Sequence, residues 1–120
     1  MFMKFKPAQR KIAMGLLSYT PEEKSIKLLL ETVQKYETES SWELFLWKEK
    51  EDIVGVIGIV NETENTVRLQ HLCINPSYRG EGLGRKMVEV MQQRLQKNMV
   101  PSDAVKSFLE SCQQEETQST

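Results

Sequence analysis

The fold turns on residues 66–84, TVRLQHLCINPSYRGEGLG. Residues 66–74 carry alternating branched and polar side chains, which suits a strand on a half-buried sheet. Asn75-Pro76 stops that strand, because proline has no N–H to give to a ladder. Gly80, Gly82 and Gly84 then crowd a turn, and Leu83, Met87, Val90, Met91 and Leu95 fall on one face of the helix that follows. The unit is strand, glycine turn, helix.

Upstream, residues 53–60 (IVGVIGIV) are apolar on both faces and read as a central strand. Trp42, Leu44 and Leu46 alternate with Glu43, Phe45 and Trp47 in another strand, which puts Trp42 and Trp47 on opposite faces. The charged residues 48–52 and the polar residues 61–65 are turns, so three strands form an antiparallel meander. Earlier still, Met1, Met3 and Phe5 mark a short strand that Pro7 ends, and Ile12, Leu16 and Leu17 mark a short helix. Thr20, Pro21 and Glu23 form a capping box before an amphipathic helix. Its apolar stripe is Ile26, Leu29, Leu30, Val33 and Tyr36, and it ends near Glu39-Ser40. Downstream, residues 98–100 read as a brief strand before Pro101. Ser102 caps a last helix carrying Val105, Phe108, Leu109 and Cys112, and the polar residues 113–120 have nothing to bury and fray.

Composition bounds the function. The 120 residues suffice for one compact domain, with 39% hydrophobic and 28% charged side chains, a globular balance. Sixteen basic against 17 acidic residues argue against a nucleic-acid or membrane-surface binder, whose affinity rests on excess positive charge. The N-terminal MFMKFKPAQRK lacks the apolar region of a secretory signal, and no apolar run approaches the roughly 20 residues that span a bilayer. Cys73 and Cys112 lie far apart without metal-ligand spacing, so neither a disulfide framework nor a metal site is expected, and a reducing cytoplasm suits the chain.

The glycines carry the chemistry. A dinucleotide fingerprint needs G-x-G-x-x-G, but Arg85 stands where the last glycine would fall, and no Lys-Ser or Lys-Thr completes a Walker loop. The segment is still an anion cradle in physical terms. Glycines let a ligand approach the backbone, and the first N–H groups of the following helix lack intrahelical partners. Arg79, Arg85 and Lys86 add cations. The plainer alternative is a turn whose basic residues face solvent.

Arg79-Gly80-Glu81-Gly82-Leu83-Gly84 resembles the [QR]-x-x-G-x-[GA] motif of the GNAT acetyltransferase superfamily, and residues 72–78 (LCINPSY) resemble that family's approach to the loop. The order of elements through Lys97 is similar as well. The resemblance implies an α/β fold of the α+β type: a GNAT-like mixed sheet with an antiparallel central meander flanked by helices, shortened at its C-terminal end. Residues 1–112 would form a single acetyltransferase domain and residues 113–120 a polar tail. It further implies acetyl-CoA (CoA) as cofactor, its pantetheine arm paired with the backbone of Leu72, Cys73 and Ile74. The pyrophosphate would lie on Arg79, Gly80, Glu81, Gly82, Leu83, Gly84 and Arg85. The implied activity is N-acetyl transfer to a primary amine, small molecule or protein, by direct attack on the thioester. Residues 11–17, 46–48 and 108–112 also resemble the small acetyltransferases of bacterial riboflavin operons.

Acetyl transfer to an amine needs a proton acceptor, since an alkylammonium has a pKa of about 10.4. His71 is the chain's one imidazole. Strict alternation puts it on the face of Leu69 and Cys73, where it serves either as the base or as a hydrogen-bonded structural histidine. Arg68 and Gln70, earlier on the strand where the family often places its base, are no substitute, and a water held by Gln70 or Glu43 is another route. The family's usual acid, a tyrosine in the last helix, falls at Leu109; Ser111 or Cys112 lies near that place, whereas Tyr78 packs at the loop. Glu37 and Glu39 either attract a cationic amine or sit in a solvated loop. The family usually adds two further strands after this helix; without them the edge at Met99-Val100 is open, which invites a homodimer that completes the sheet or a shallow acceptor site. A second function class fits the missing tyrosine: a CoA- or acyl-CoA-binding regulatory protein with little or no catalysis. A third, a protein-interaction module, leaves the glycine turn unexplained.

Overall fold

The computed structural model of the protein describes residues 1–19, 25–103 and 105–107. Five strands, β1 (Phe2–Lys4), β2 (Trp42–Glu49), β3 (Asp52–Asn61), β4 (Thr66–Ile74) and β5 (Asn98–Pro101), form one sheet in sequential order. Each of the first four is antiparallel to its neighbour, and β5 runs parallel to β4. Parallel strands need a long crossover, and α3 (Leu83–Leu95) supplies it between β4 and β5. The remaining helices, α1 (Arg10–Leu17) and α2 (Ile26–Thr38), pack on the opposite face, α1 over β3 and β4 and α2 over β2. This is the expected mixed α+β sheet with a central meander.

The sheet thus separates two cores. Phe45, Trp47, Ile57, Ile59, Leu69, Leu72 and Ile74 meet Leu83, Met87 and Met91 of α3. On the other face Leu44, Leu46, Val56 and Cys73 meet Ala13, Leu16 and Leu17 of α1 and Leu29, Val33 and Tyr36 of α2. Trp47 lies in the α3-side core and Trp42 against Tyr36, so the two indoles do occupy opposite faces. β3 is buried from Val54 to Val60, as a strand with neighbours on both edges must be.

Three expectations are corrected. The buried stripe of α1 is Ala13, Leu16 and Leu17, and Ile12 is 47% exposed. In α2 the stripe narrows to Leu29, Val33 and Tyr36, while Ile26 and Leu30 face outward; Leu30 lies about 100° round the helix from Leu29, beyond the contact strip. The β2–β3 turn shrinks from residues 48–52 to Lys50 and Glu51, since Glu49 pairs with Asp52 and Lys50 adopts a positive φ of 54°. The described part of α2 starts after Ser25, whose hydroxyl accepts from Leu28 N at 3.1 Å. The Thr20 capping box, Phe108, Leu109, Ser111, Cys112 and the 113–120 tail lie outside the described residues. Ser102 does cap the segment after β5, with Val105 N on its Oγ at 3.4 Å and Lys106 N on its carbonyl oxygen at 2.8 Å. Among the described residues, no helix is long and apolar enough to cross a membrane.

Candidate active site

β4 and β5 pair only from Thr66 opposite Asn98 to Leu69 opposite Pro101. There β5 leaves, because Pro101 has no N–H to continue a ladder and Ser102 turns the chain. Ser102 N donates to the Leu69 carbonyl oxygen at 2.9 Å, and its hydroxyl donates to that of Gln70 at 3.1 Å. Beyond this point β4 keeps only its β3 neighbour among the described residues. Asn75 N donates to the Val54 carbonyl oxygen at 2.8 Å across that pairing. Backbone groups alternate sides along a strand, so Cys73 also addresses β3, whereas Leu72 and Ile74 address the opened edge.

A bulge sits at the point of parting. Gly58 pairs with His71 but Ile59 pairs with Leu69, which leaves Gln70 as the extra residue. The extra residue reverses the alternation and corrects the expected facing. Leu69 joins Leu72 and Ile74 in the α3-side core, and His71 shares the α1/α2 face with Cys73 but not with Leu69.

The opened edge runs straight into the glycine turn. Asn75 accepts from Ser77 N through Oδ1 at 2.9 Å and starts a single 3₁₀ turn, Pro76–Tyr78. Gly80 and Gly82 have φ of +82° and +73°, conformations that cost an L-residue with a Cβ about 1–2 kcal/mol. Gly82 is the N-cap of α3, and its carbonyl oxygen accepts the first intrahelical bond, from Lys86 N at 3.1 Å. The N–H groups of Leu83, Gly84 and Arg85 precede that bond and make the positive end of the helix dipole. A Cβ built at Gly80 meets nothing within 4 Å, so the turn is open to an approaching group. Arg79, Arg85 and Lys86 are exposed around it. Arg79 lies over the Tyr19 ring, its Cζ 5.7 Å from the centroid, and Lys86 Nζ is 5.7 Å from the centroid of Trp47. Beside the first turn of α3 a groove of about 300 Å³ is lined by Glu49, Asp52, Tyr78, Glu81 and Lys86 among others. Glu49 receives the Trp47 indole N–H at 2.8 Å, and this bond holds its carboxyl below the usual carboxylate range.

His71 is 4% exposed, and its Nδ1 lies 2.5 Å from the Tyr36 hydroxyl. The Tyr36 side chain spans from α2, over β2, across β3 to β4, passing above Gly58. Neither this partner nor the glycine beneath it was legible from local sequence, since Tyr36 and His71 are separated by 35 residues. The other candidates are tied elsewhere. Arg68 pairs with Glu62 and donates to Gln70 Oε1, Glu43 receives Asn61 Nδ2 at 3.0 Å, and both Glu37 oxygens receive Arg10 Nη2 at 2.7 Å. Glu37, Glu39 and Glu43 line a second groove of about 300 Å³ with Tyr36 and Trp42, beside the N-terminal end of β2. Tyr78 packs against the α3-side core, as expected. Leu72, Cys73, Ile74 and the 79–85 turn are thus consecutive along one opened edge. His71 stands beside the bulge, and among the described residues no group of three or more potential metal ligands occurs.

Residues 16–113 match the family model described as an acetyltransferase (GNAT) domain. An uncharacterized N-acetyltransferase encoded in the lysA 3′ region of Bacillus methanolicus is 43% identical over 114 residues, covering 94% of this chain and 95% of the relative. The backbone is similar to a GNAT acetyltransferase of Elizabethkingia anophelis with acetyl-CoA bound: TM-score 0.66, 17% identity, 92% of this chain and 72% of the other. It is also similar to an aminoglycoside 6′-N-acetyltransferase complexed with coenzyme A, at TM-score 0.66 and 18% identity. That match covers 79% of this chain and 54% of the longer enzyme.

Proposed function

The chain belongs to the GNAT acetyltransferase family; it is an acyltransferase with acetyl-CoA as cosubstrate, and on that premise we propose that it acetylates a primary amine by direct attack on the thioester. The observation that carries this reading is the parting of β4 from β5 immediately before the glycine turn. It exposes strand-edge backbone groups and helix N-terminal amides in one continuous line. The residues fit the cosubstrate chemically. The outward amide and carbonyl of Leu72 and the amide of Ile74 suit the amide-bearing arm, on either side of Cys73. The amides of Leu83, Gly84 and Arg85, with Gly80, Glu81 and Gly82 forming the turn, suit the pyrophosphate. Arg79 and Arg85 add positive charge there.

Acetyl-CoA supplies the thioester. The amine nitrogen forms the new C–N bond, the C–S bond breaks, and the sulfur leaves as thiolate. Backbone N–H groups beside Cys73 would stabilise charge on the thioester oxygen. His71 accepts the proton that the attacking amine loses. The acceptor is a small-molecule or protein amine. A second copy of the chain adding a strand to the outer edge of β5 would complete the sheet, and a monomeric particle in analytical ultracentrifugation would remove that part. The narrower kinship with riboflavin-operon acetyltransferases rests on residues 11–17, 46–48 and 108–112, and a cytoplasmic setting rests on the two isolated cysteines.

Calorimetric titration with acetyl-CoA, CoA, ATP and NAD tests the site, followed by a screen of primary amines for acetyl transfer. Binding confined to CoA species with turnover supports the whole reading. Binding without turnover on any amine would leave a CoA-binding protein in its place, and no CoA binding by folded protein overturns the site.

A further inference from the structure

We propose that Ser102 is a positioning residue for acetyl-CoA: its hydroxyl closes the Gln70 carbonyl, so that the free edge of β4 starts at Leu72 and the amide-bearing arm has one register on the strand. The inference rests on that arm pairing with β4, as proposed above. Its ground is the hydrogen bonding at the point where β4 and β5 part. The bulge makes Gln70 the extra residue opposite β3, and such a residue is left without a partner in the ladder. Pro101, opposite Leu69, has no N–H to give, so the next residue supplies the donors. Ser102 supplies two, its N–H to the Leu69 carbonyl oxygen at 2.9 Å and its hydroxyl to that of Gln70 at 3.1 Å. His71 turns back to Gly58 of β3, and Leu72 is the next residue whose backbone addresses the opened edge. One serine thus takes both acceptors that precede the free stretch.

The serine is itself held in place. Its Oγ accepts Val105 N at 3.4 Å while donating to Gln70, a combination that a hydroxyl can make because it has one hydrogen and two lone pairs. Its carbonyl oxygen accepts Lys106 N at 2.8 Å, and Val105, 2% exposed, anchors the segment in the α3-side core. Gln70 Oε1 receives Arg68 Nε at 2.6 Å, which ties the bulge residue to its own strand. Without the Ser102 hydroxyl, the Gln70 carbonyl becomes a further acceptor on the edge. An amide N–H of the arm then has two places to donate, at Gln70 and at Leu72. Two residues of extended strand are about 6–7 Å, so the two registers would set the thioester at different points along β4.

Ser102→Thr, Ser102→Ala and Ser102→Gly of the full chain separate this role from capping. Threonine keeps the hydroxyl, and alanine and glycine both lose it. Glycine caps nearly as well as serine and alanine does not, so urea midpoints should fall further for alanine than for glycine. The folded proteins are then loaded with acetyl-CoA carrying ¹³C at the thioester carbonyl. The wild type and Ser102→Thr should give one bound resonance. Ser102→Ala and Ser102→Gly should alike give a second or displaced resonance, with calorimetric affinity for acetyl-CoA lowered about 2- to 10-fold, the range for one hydrogen bond. A bound resonance in Ser102→Gly identical with that of the wild type overturns the proposal. So does a disturbance that follows the urea midpoints, large in alanine and absent in glycine, because that is the cap alone. No binding of acetyl-CoA by the folded wild type overturns the site itself, and this proposal with it.

Discussion

Replacing Gly58 by alanine tests the packing on which the His71 environment depends. The added methyl carbon would lie 2.5 Å from Cζ and 3.0 Å from Cε1 of Tyr36, where carbon atoms in contact prefer about 3.5–4.0 Å. β3 cannot withdraw, since it is hydrogen-bonded on both edges and its flanking Ile57 and Ile59 are fully buried. The tyrosine must move, which separates its hydroxyl from His71 and its ring from Trp42. Overpacking of a filled core costs about 1–3 kcal/mol, and removing a partner from a buried polar group about 1–3 kcal/mol more. The better strand propensity of alanine returns about 0.5–1 kcal/mol. The net expectation is a loss of roughly 1–5.5 kcal/mol, a large part of the about 5–15 kcal/mol that holds a domain of this kind together. Urea unfolding followed by tryptophan fluorescence should show the midpoint falling with an unchanged slope. A midpoint equivalent to within about 0.5 kcal/mol of the wild type, the usual spread of inconsequential surface changes, would refute the close approach of Tyr36 to β3.

Gly82→Glu fills and charges the turn at a residue with φ of +73°, so acetyl-CoA binding should vanish in calorimetry while the far-ultraviolet dichroism of the fold persists. Met87→Ala, at a fully buried side chain between α3 and the sheet, should cost about 2–5 kcal/mol. The half-exposed Ile12→Ala should stay within about 0.5 kcal/mol in the same urea series. Ser102→Ala removes both a helix cap and the donor to Gln70 O, and a loss of about 1 kcal/mol is expected from the cap. Glu49 is a carboxyl whose folded pKa lies below its ordinary 4.5, so its contribution is present above that pH and lost as pH falls through the folded value. The gap in urea midpoint between wild type and Glu49→Gln should therefore be widest at neutral pH and close on acidification; a gap that grows in acid contradicts the Trp47–Glu49 bond.

The local sequence settled the strands, the helices and the glycine turn, because those depend on contacts within one turn or one strand. The both-face apolar run 53–60 marked β3 as central, Pro76 ended β4, and three alternate glycines before an amphipathic helix marked the turn that opens α3. What it misjudged was how wide a strip each helix buries. Ile12 and Leu30 are as apolar as their buried neighbours, and only the position of the sheet beneath decides which of them it covers. The facing of His71 needed the tertiary structure for a sharper reason. A strand's alternation holds only while its register holds, and the extra residue at Gln70 exists only in relation to β3. The Tyr36–His71 pair is likewise a product of assembly: α2 must lie over β2, Gly58 must leave the space, and the bulge must turn the imidazole to that face. Sequence determined β4, the glycine turn and α3, since each is stabilised by its own neighbours. Folding decided the parted strand edge and the partner of the imidazole, since both arise where segments distant along the chain meet.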